Sequence, residues 1–210
     1  MKSMMKDTAI LFAITLIAGL ILGAVYQITK DPIARQEELA MQEASRQVFS
    51  AAASFEAVAG FDGEKAQDIL KEGGYSGQTI DGCQTALDGS GAVLGYVITV
   101  TTHEGYGGDI QFLMGVSSDG SLNGISLLSI SETPGLGMQA EEVLVPQFQN
   151  ASGYPFESTK TGAEQDNQID AISGATITTD AVIGGVNAGL YYFQSELDGR
   201  TEAAGGEQDA

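Results

Sequence analysis

The sequence predicts an α+β fold, an antiparallel sheet flanked by helices, preceded by one N-terminal transmembrane helix. Three observations carry that expectation. A long uncharged apolar run opens the chain, β-branched segments separated by tight-turn signals fill its middle, and helical spacing returns near its end.

From Thr8 to Thr29 no residue is charged, and most are Ile, Leu, Ala, Val, Phe or Gly. At a rise of about 1.5 Å per residue, roughly 20 such residues cross the hydrocarbon of a bilayer. Lys2 and Lys6 precede the run, which by the positive-inside rule places the N-terminus in the cytoplasm and the remainder of the chain outside it. Lys30 and Arg35 on the far side weaken that asymmetry. A cleaved signal peptide is the rival reading; the length of the run and the lack of a clear A-x-A site favour an anchor that holds the bilayer through residues 8–29. The expected organisation is a cytoplasmic N-terminus and anchor over 1–30, an extracytoplasmic domain over 31–198, and a disordered acidic tail over 199–210.

Beyond Pro32, residues 33–58 read as a helix continuing from the anchor, with Leu39, Val48 and Phe49 as packing residues. Asp62-Gly63 and Gly73-Gly74 mark loops around a short helix at 65–71. Asp88-Gly89-Ser90-Gly91 separates a short strand from the β-branched run 92–101. Ser118-Asp119-Gly120 joins strands at 110–116 and 122–130. Residues 178–197 return to helical spacing, with Val182, Val186, Leu190 and Phe193 on one stripe and Thr178 or Thr179 as the cap.

Composition narrows the function. The chain has 9 basic against 28 acidic residues, a net charge of −19, and residues 31–210 alone carry −21. That field repels phosphate backbones, so nucleic acid is not an expected partner. A single cysteine, Cys83, leaves no disulfide framework or multi-cysteine cluster, and its simplest role is a small buried hydrophobe. His103 is the only histidine, which removes a histidine metal site or a Ser-His-Asp triad. No metal site and no set of catalytic residues is expected.

One segment has chemistry in it. Asp170-Ala-Ile-Ser173-Gly174-Ala175-Thr176 ends in small residues just before a helix, so its backbone N–H groups can cradle an anion. A threonine hydroxyl there can carry a phosphoester. A helix start with a Gly-Ala bend and no ligand is the plainer alternative.

This segment fits the pattern D-x-x-[ST]-G-A-[ST]. Together with Gly105-Tyr106-Gly107-Gly108-Asp109-Ile110, Glu132-Thr133-Pro134-Gly135-Leu136-Gly137 and the N-terminal apolar run, it resembles the G subunit of the Rnf electron-transport complex, of the FMN-binding domain family. The C subunit of the sodium-pumping NADH:quinone reductase is similar and shares the motif. The resemblance implies FMN joined through its phosphate to the Thr176 hydroxyl by a flavin transferase, which takes FAD and releases AMP. It implies phosphate contacts from Ser173, Gly174 and Ala175. It gives Asp170 a role in the loop or at the transferase's metal, with a turn acceptor as the alternative. Glu132, Thr133, Gly135, Leu136 and Gly137 would form a loop against the flavin, with Met138 as apolar cover. Tyr106 would flank the ring or pack beside its glycines, and His103 and Glu104 read as loop surface. The implied function is an electron carrier within an ion-translocating ferredoxin:NAD oxidoreductase, partnered by its other subunits. The alternatives are the quinone-reductase subunit, a free-standing flavinylated domain, or an assembly module without flavin.

Overall fold

The computed structural model describes residues 2–198. The expected acidic tail, 199–210, lies outside the described residues. Two compact units emerge, Met1–Ala40 and Met41–Ala210. The first is helical, the beginning of α1 (Lys2–Val48). Its apolar side chains, among them Leu11, Phe12, Leu20, Leu22 and Ile28, are exposed. It is long and apolar enough to cross a membrane by length and composition. A helix apolar on every side has no aqueous face, which suits lipid. The helix continues through Pro32 although the ring leaves the carbonyl four residues earlier without its amide partner.

The second unit is built on an antiparallel five-stranded meander in the order β1-β2-β3-β4-β5: β1 (Ser54–Ala57), β2 (Gln78–Leu87), β3 (Val93–Thr102), β4 (Ile110–Ser117) and β5 (Leu122–Ser129). The hairpin tips follow from turn chemistry. The Ser90 hydroxyl and the N–H groups of Ala92 and Ser90 hold the Asp88 carboxyl below its ordinary range, and the Ser121 hydroxyl and N–H do the same for Asp119. Between β1 and β2 runs α2 (Gly63–Glu72), which Asp62 caps by accepting from the N–H groups of Glu64 and Lys65.

Residues 54–57 are strand, not the end of a helix. They pair in register with Gln84–Leu87, a long-range ladder that overrides the local helical tendency, and α1 stops at Val48. Leu39 is 52% exposed and is not a packing residue, whereas Val48 and Phe49 are buried. They join Ala44, Ala86, Val97 and Leu113 in a cluster on one face of the sheet. Gly115 makes room for them, since a Cβ there would lie 2.9 Å from the Val48 Cβ and 3.1 Å from the Phe49 ring.

The opposite face of the sheet carries the main core, Ile98, Val100, Phe112, Met114 and Ile125, covered by α4 (Thr176–Tyr192). The stripe Val182, Val186, Leu190 and Phe193 is buried there, as the spacing predicts. After β5 the chain forms a 3-10 turn (Gly137–Gln139), α3 (Ala140–Val143) and a second 3-10 turn (Val145–Phe148). It then adds a short parallel pair, β6 (Glu157–Thr159) with β7 (Gln168–Asp170), which sequence patterning does not predict. Asn187 in α4 grips the Phe156 backbone on both sides, its Oδ1 accepting from the N–H and its Nδ2 donating to the carbonyl.

The cap of α4 is not a threonine. The helix opens at Thr176 from Ala175, which makes no side-chain cap. Thr179, fully buried one turn in, accepts from the Ile172 N–H at 3.1 Å and donates to the Ala175 carbonyl at 3.0 Å, and so fixes the loop 172–175 against the first turn.

Two variants test this packing. Gly115→Val should overpack the Val48–Phe49 contact and lower stability by about 1–3 kcal/mol; an unchanged thermal midpoint would refute the close approach. Thr179→Val keeps the volume but orphans the buried Ile172 N–H, an expected loss of about 1–3 kcal/mol, read by denaturant titration. A Thr179→Ser variant should recover most of it.

Candidate flavin groove

The meander sorts its connections by end. The β3–β4 loop (103–109), the segment after β5 (130–139) and the start of α4 all lie at the same end of the sheet, since Gln78 pairs with Thr102 and Gln111 with Ser129. Between them is a groove of about 470 Å3 lined by Tyr106, Glu132, Thr133, Leu136, Gly137, Gly174, Ala175, Thr176, Ile177 and Thr178. That volume is within the range of cofactor sites.

The structure therefore brings together eight of the candidate cofactor residues, drawn from all three blocks, with Ile177 and the former candidate cap Thr178 beside them. It leaves Asp170, Ser173 and Gly135 off the groove wall. Met138, 44% exposed, is also off it.

The walls have distinct character. Tyr106, Ile177 and Leu136 present apolar surface, exposed by 70%, 54% and 40%. Thr176, also on the groove, is the first residue of α4 and partly exposed. The first N–H groups of a helix have no intrahelical carbonyl and carry its positive dipole end, so they suit an anion. The Ala175 N–H is not among those free to do so, because it donates to the Ile172 carbonyl at 3.0 Å. Gly174 has φ +77°, a conformation side chains resist, and a Cβ there would come 3.2 Å from Leu136. At Gly137 a Cβ would lie 2.6 Å from the Thr178 hydroxyl and 2.8 Å from Glu132 Oε2. Missing Cβ atoms thus keep the groove open, and the residues present fit a bulky ring with a phosphate at the helix end.

The loops are held from several sides. Glu132 Oε1 accepts from the Gly107 N–H at 3.1 Å. The Thr133 carbonyl accepts from the Leu136 and Met138 N–H groups, closing the turn over 133–138. In the 103–109 loop, His103 Nδ1 lies 2.9 Å from Asp109 Oδ1, and Glu104 Oε2 accepts from Gln78 Nε2 at 2.6 Å. His103 and Glu104 are exposed, as expected, yet both brace the loop that carries Tyr106.

Asp170 points its side chain to solvent and is clamped through its backbone: its N–H donates to Gln147 Oε1 at 2.7 Å and its carbonyl accepts from Gln147 Nε2 at 3.1 Å. Gln147 and Thr179 hold the motif in place. Nothing local marks Gln147, whose partner lies 23 residues further along the chain. Thr179 is visible in the sequence only as one of two candidate caps.

Residues 105–191 match the FMN-binding domain family, and residues 1–48 match the RnfG N-terminal region. The G subunit of the Na(+)-translocating ferredoxin:NAD(+) oxidoreductase complex of Acetobacterium woodii is 34% identical, covering 92% of this chain and 93% of its own. The proton-translocating counterpart of Clostridium ljungdahlii is 32% identical over 86% of this chain and 90% of its own. The G subunit of the ion-translocating oxidoreductase complex of Methanosarcina acetivorans is 29% identical over 93% and 97%. Among solved structures, the crystal structure of Shewanella oneidensis NqrC matches at 19% identity and a TM-score of 0.47, over 58% of this chain and 60% of that one. An apolar N-terminal helix, an FMN-binding domain and near full-length similarity meet in one chain, which belongs to the family of G subunits of Rnf-type ion-translocating oxidoreductase complexes.

Proposed function

We propose that this chain is the flavin-carrying G subunit of a membrane-bound ferredoxin:NAD oxidoreductase, with FMN esterified through its phosphate to the Thr176 hydroxyl and seated in the groove. One observation carries the reading: the three sequence blocks, separated by up to about 70 residues, line a single groove that ends on the first turn of α4. FMN when bound supplies the electron transfer, and the protein supplies attachment and electrostatics. The Thr176 hydroxyl is the attachment oxygen, with the open N–H groups of the first turn stabilising the phosphate charge. Ser173, exposed beside them, adds a hydroxyl at the loop's outer edge. Tyr106, Leu136 and Ile177 exclude water from one side of the groove. Asp170 and Ser173 face outward, where a flavin transferase can read them during attachment. A tether at the phosphate leaves the ring edge free to meet the redox centres of partner subunits.

Localisation follows from the same chain. Residues 1–30 serve as the anchor, crossing the cytoplasmic membrane over residues 8–29, and residues 31–198 form the domain on the outer side. Lys2 and Lys6 before the span support that orientation.

The decisive measurement is denaturing electrophoresis of the full chain made together with a flavin transferase. A fluorescent band is expected for the wild type and for Thr176→Ser, and none for Thr176→Ala. Gly137→Ala, which puts a methyl group 2.6 Å from Thr178 Oγ1, should cut fluorescence severalfold. A dark wild-type band would refute the flavin linkage. For orientation, protease added to intact cells stripped of their outer wall should digest the domain; full protection would reverse the topology.

A further inference from the structure

Glu132 is the one carboxylate on the groove wall, and it is 7% exposed. Its Oε1 accepts the Gly107 N–H, and its two oxygens lie where Cβ atoms at Gly105 and Gly137 would come within 2.9 and 2.8 Å. The carboxyl group is thus packed against the backbone of two loops, with Thr178 beside it. Among the described residues, none of the ion pairs involves it, and no Lys or Arg lines the groove. A carboxylate in a concave, apolar-walled site acts on its surroundings with little screening.

We propose that Glu132 is a positioning residue with an electrostatic consequence: it holds the 105–108 loop over the groove and sets the redox poise of the flavin bound there. The inference rests on the reading that FMN occupies this groove. Two electrons and one proton convert the oxidised ring into a reduced ring with one negative charge; the electrons come from a redox centre of a partner subunit, or from dithionite in the test. A fixed carboxylate on the groove wall raises the cost of that added charge and so lowers the midpoint potential. Gly137 leaves Glu132 its place beside Thr178, because a Cβ at 137 would lie 2.6 Å from the Thr178 hydroxyl and 2.8 Å from Glu132 Oε2.

The test uses the full chain made with a flavin transferase, purified in detergent, with potentials measured by dithionite titration on the flavin-bearing fraction. Glu132→Gln keeps a carbonyl oxygen for the Gly107 N–H and removes the charge. It should favour reduction at least tenfold, a rise of about 30 mV for a two-electron couple. Glu141→Gln removes an exposed carboxylate of α3 that does not line the groove, and should leave the potential unchanged. Glu132→Ala should raise the potential as well and also make the 103–109 loop sensitive to protease, which Glu132→Gln should not. Flavin-bearing Glu132→Gln at the wild-type potential would overturn the inference, as would equal shifts in Glu132→Gln and Glu141→Gln, which would assign the effect to the overall acidic field. A wild-type chain that takes up no flavin would overturn the groove reading itself, and this inference with it.

Discussion

The Thr179 hydroxyl is the contact on which the site's geometry depends. By accepting from Ile172 and donating to the Ala175 carbonyl, it fixes a loop of small residues to the first turn of a helix it already belongs to. A helix normally satisfies its first N–H groups with a capping side chain. Here the hydroxyl sits one turn inside and holds the incoming chain, so Ala175 leaves the groove side of the helix end without a capping side chain. The buried threonine one turn inside thus keeps the loop rigid without capping the first N–H groups of the helix.

The rest of the domain keeps that helix start in place. α4 lies on the sheet through Val182, Val186 and Leu190, and Gly185 permits close approach over Phe112. Gln147 reaches across from the second 3-10 turn, and Asn187 reaches out from α4 itself, each gripping backbone rather than a side chain. Asn187 is a buried polar group, and among the described residues no buried side-chain nitrogen or oxygen lacks a partner.

Much of this is legible in the sequence. Strands β3 to β5 announce themselves through β-branched runs and Asp-Gly turns, and the buried stripe of α4 follows from its spacing. The three motif blocks point to one site without any coordinates, and eight of their residues share the groove. The hidden part is long-range. Residues 54–57 join the sheet only because β2 lies beside them, and β6 and β7 are three residues each, too short for a periodic signal. Two adjacent threonines offer themselves as caps, and local rules do not reveal that both are buried and that Thr179 is bonded backward. The Ala175 N–H reads as open to phosphate in the sequence, whereas in three dimensions its turn with Ile172 occupies it.

The meander has a further consequence for how such a subunit can change over time. Its hairpin tips at 88–91 and 118–121 point to one end, while the loops that line the groove occupy the other. Residues at the tips are held by their own Asp88 and Asp119 turns rather than by groove contacts. Substitutions or insertions there can remodel what the domain meets at that end while the groove end stays constant. The fold thus separates an evolvable pole from a constrained one, and a new assembly partner can be acquired without renegotiating the chemistry.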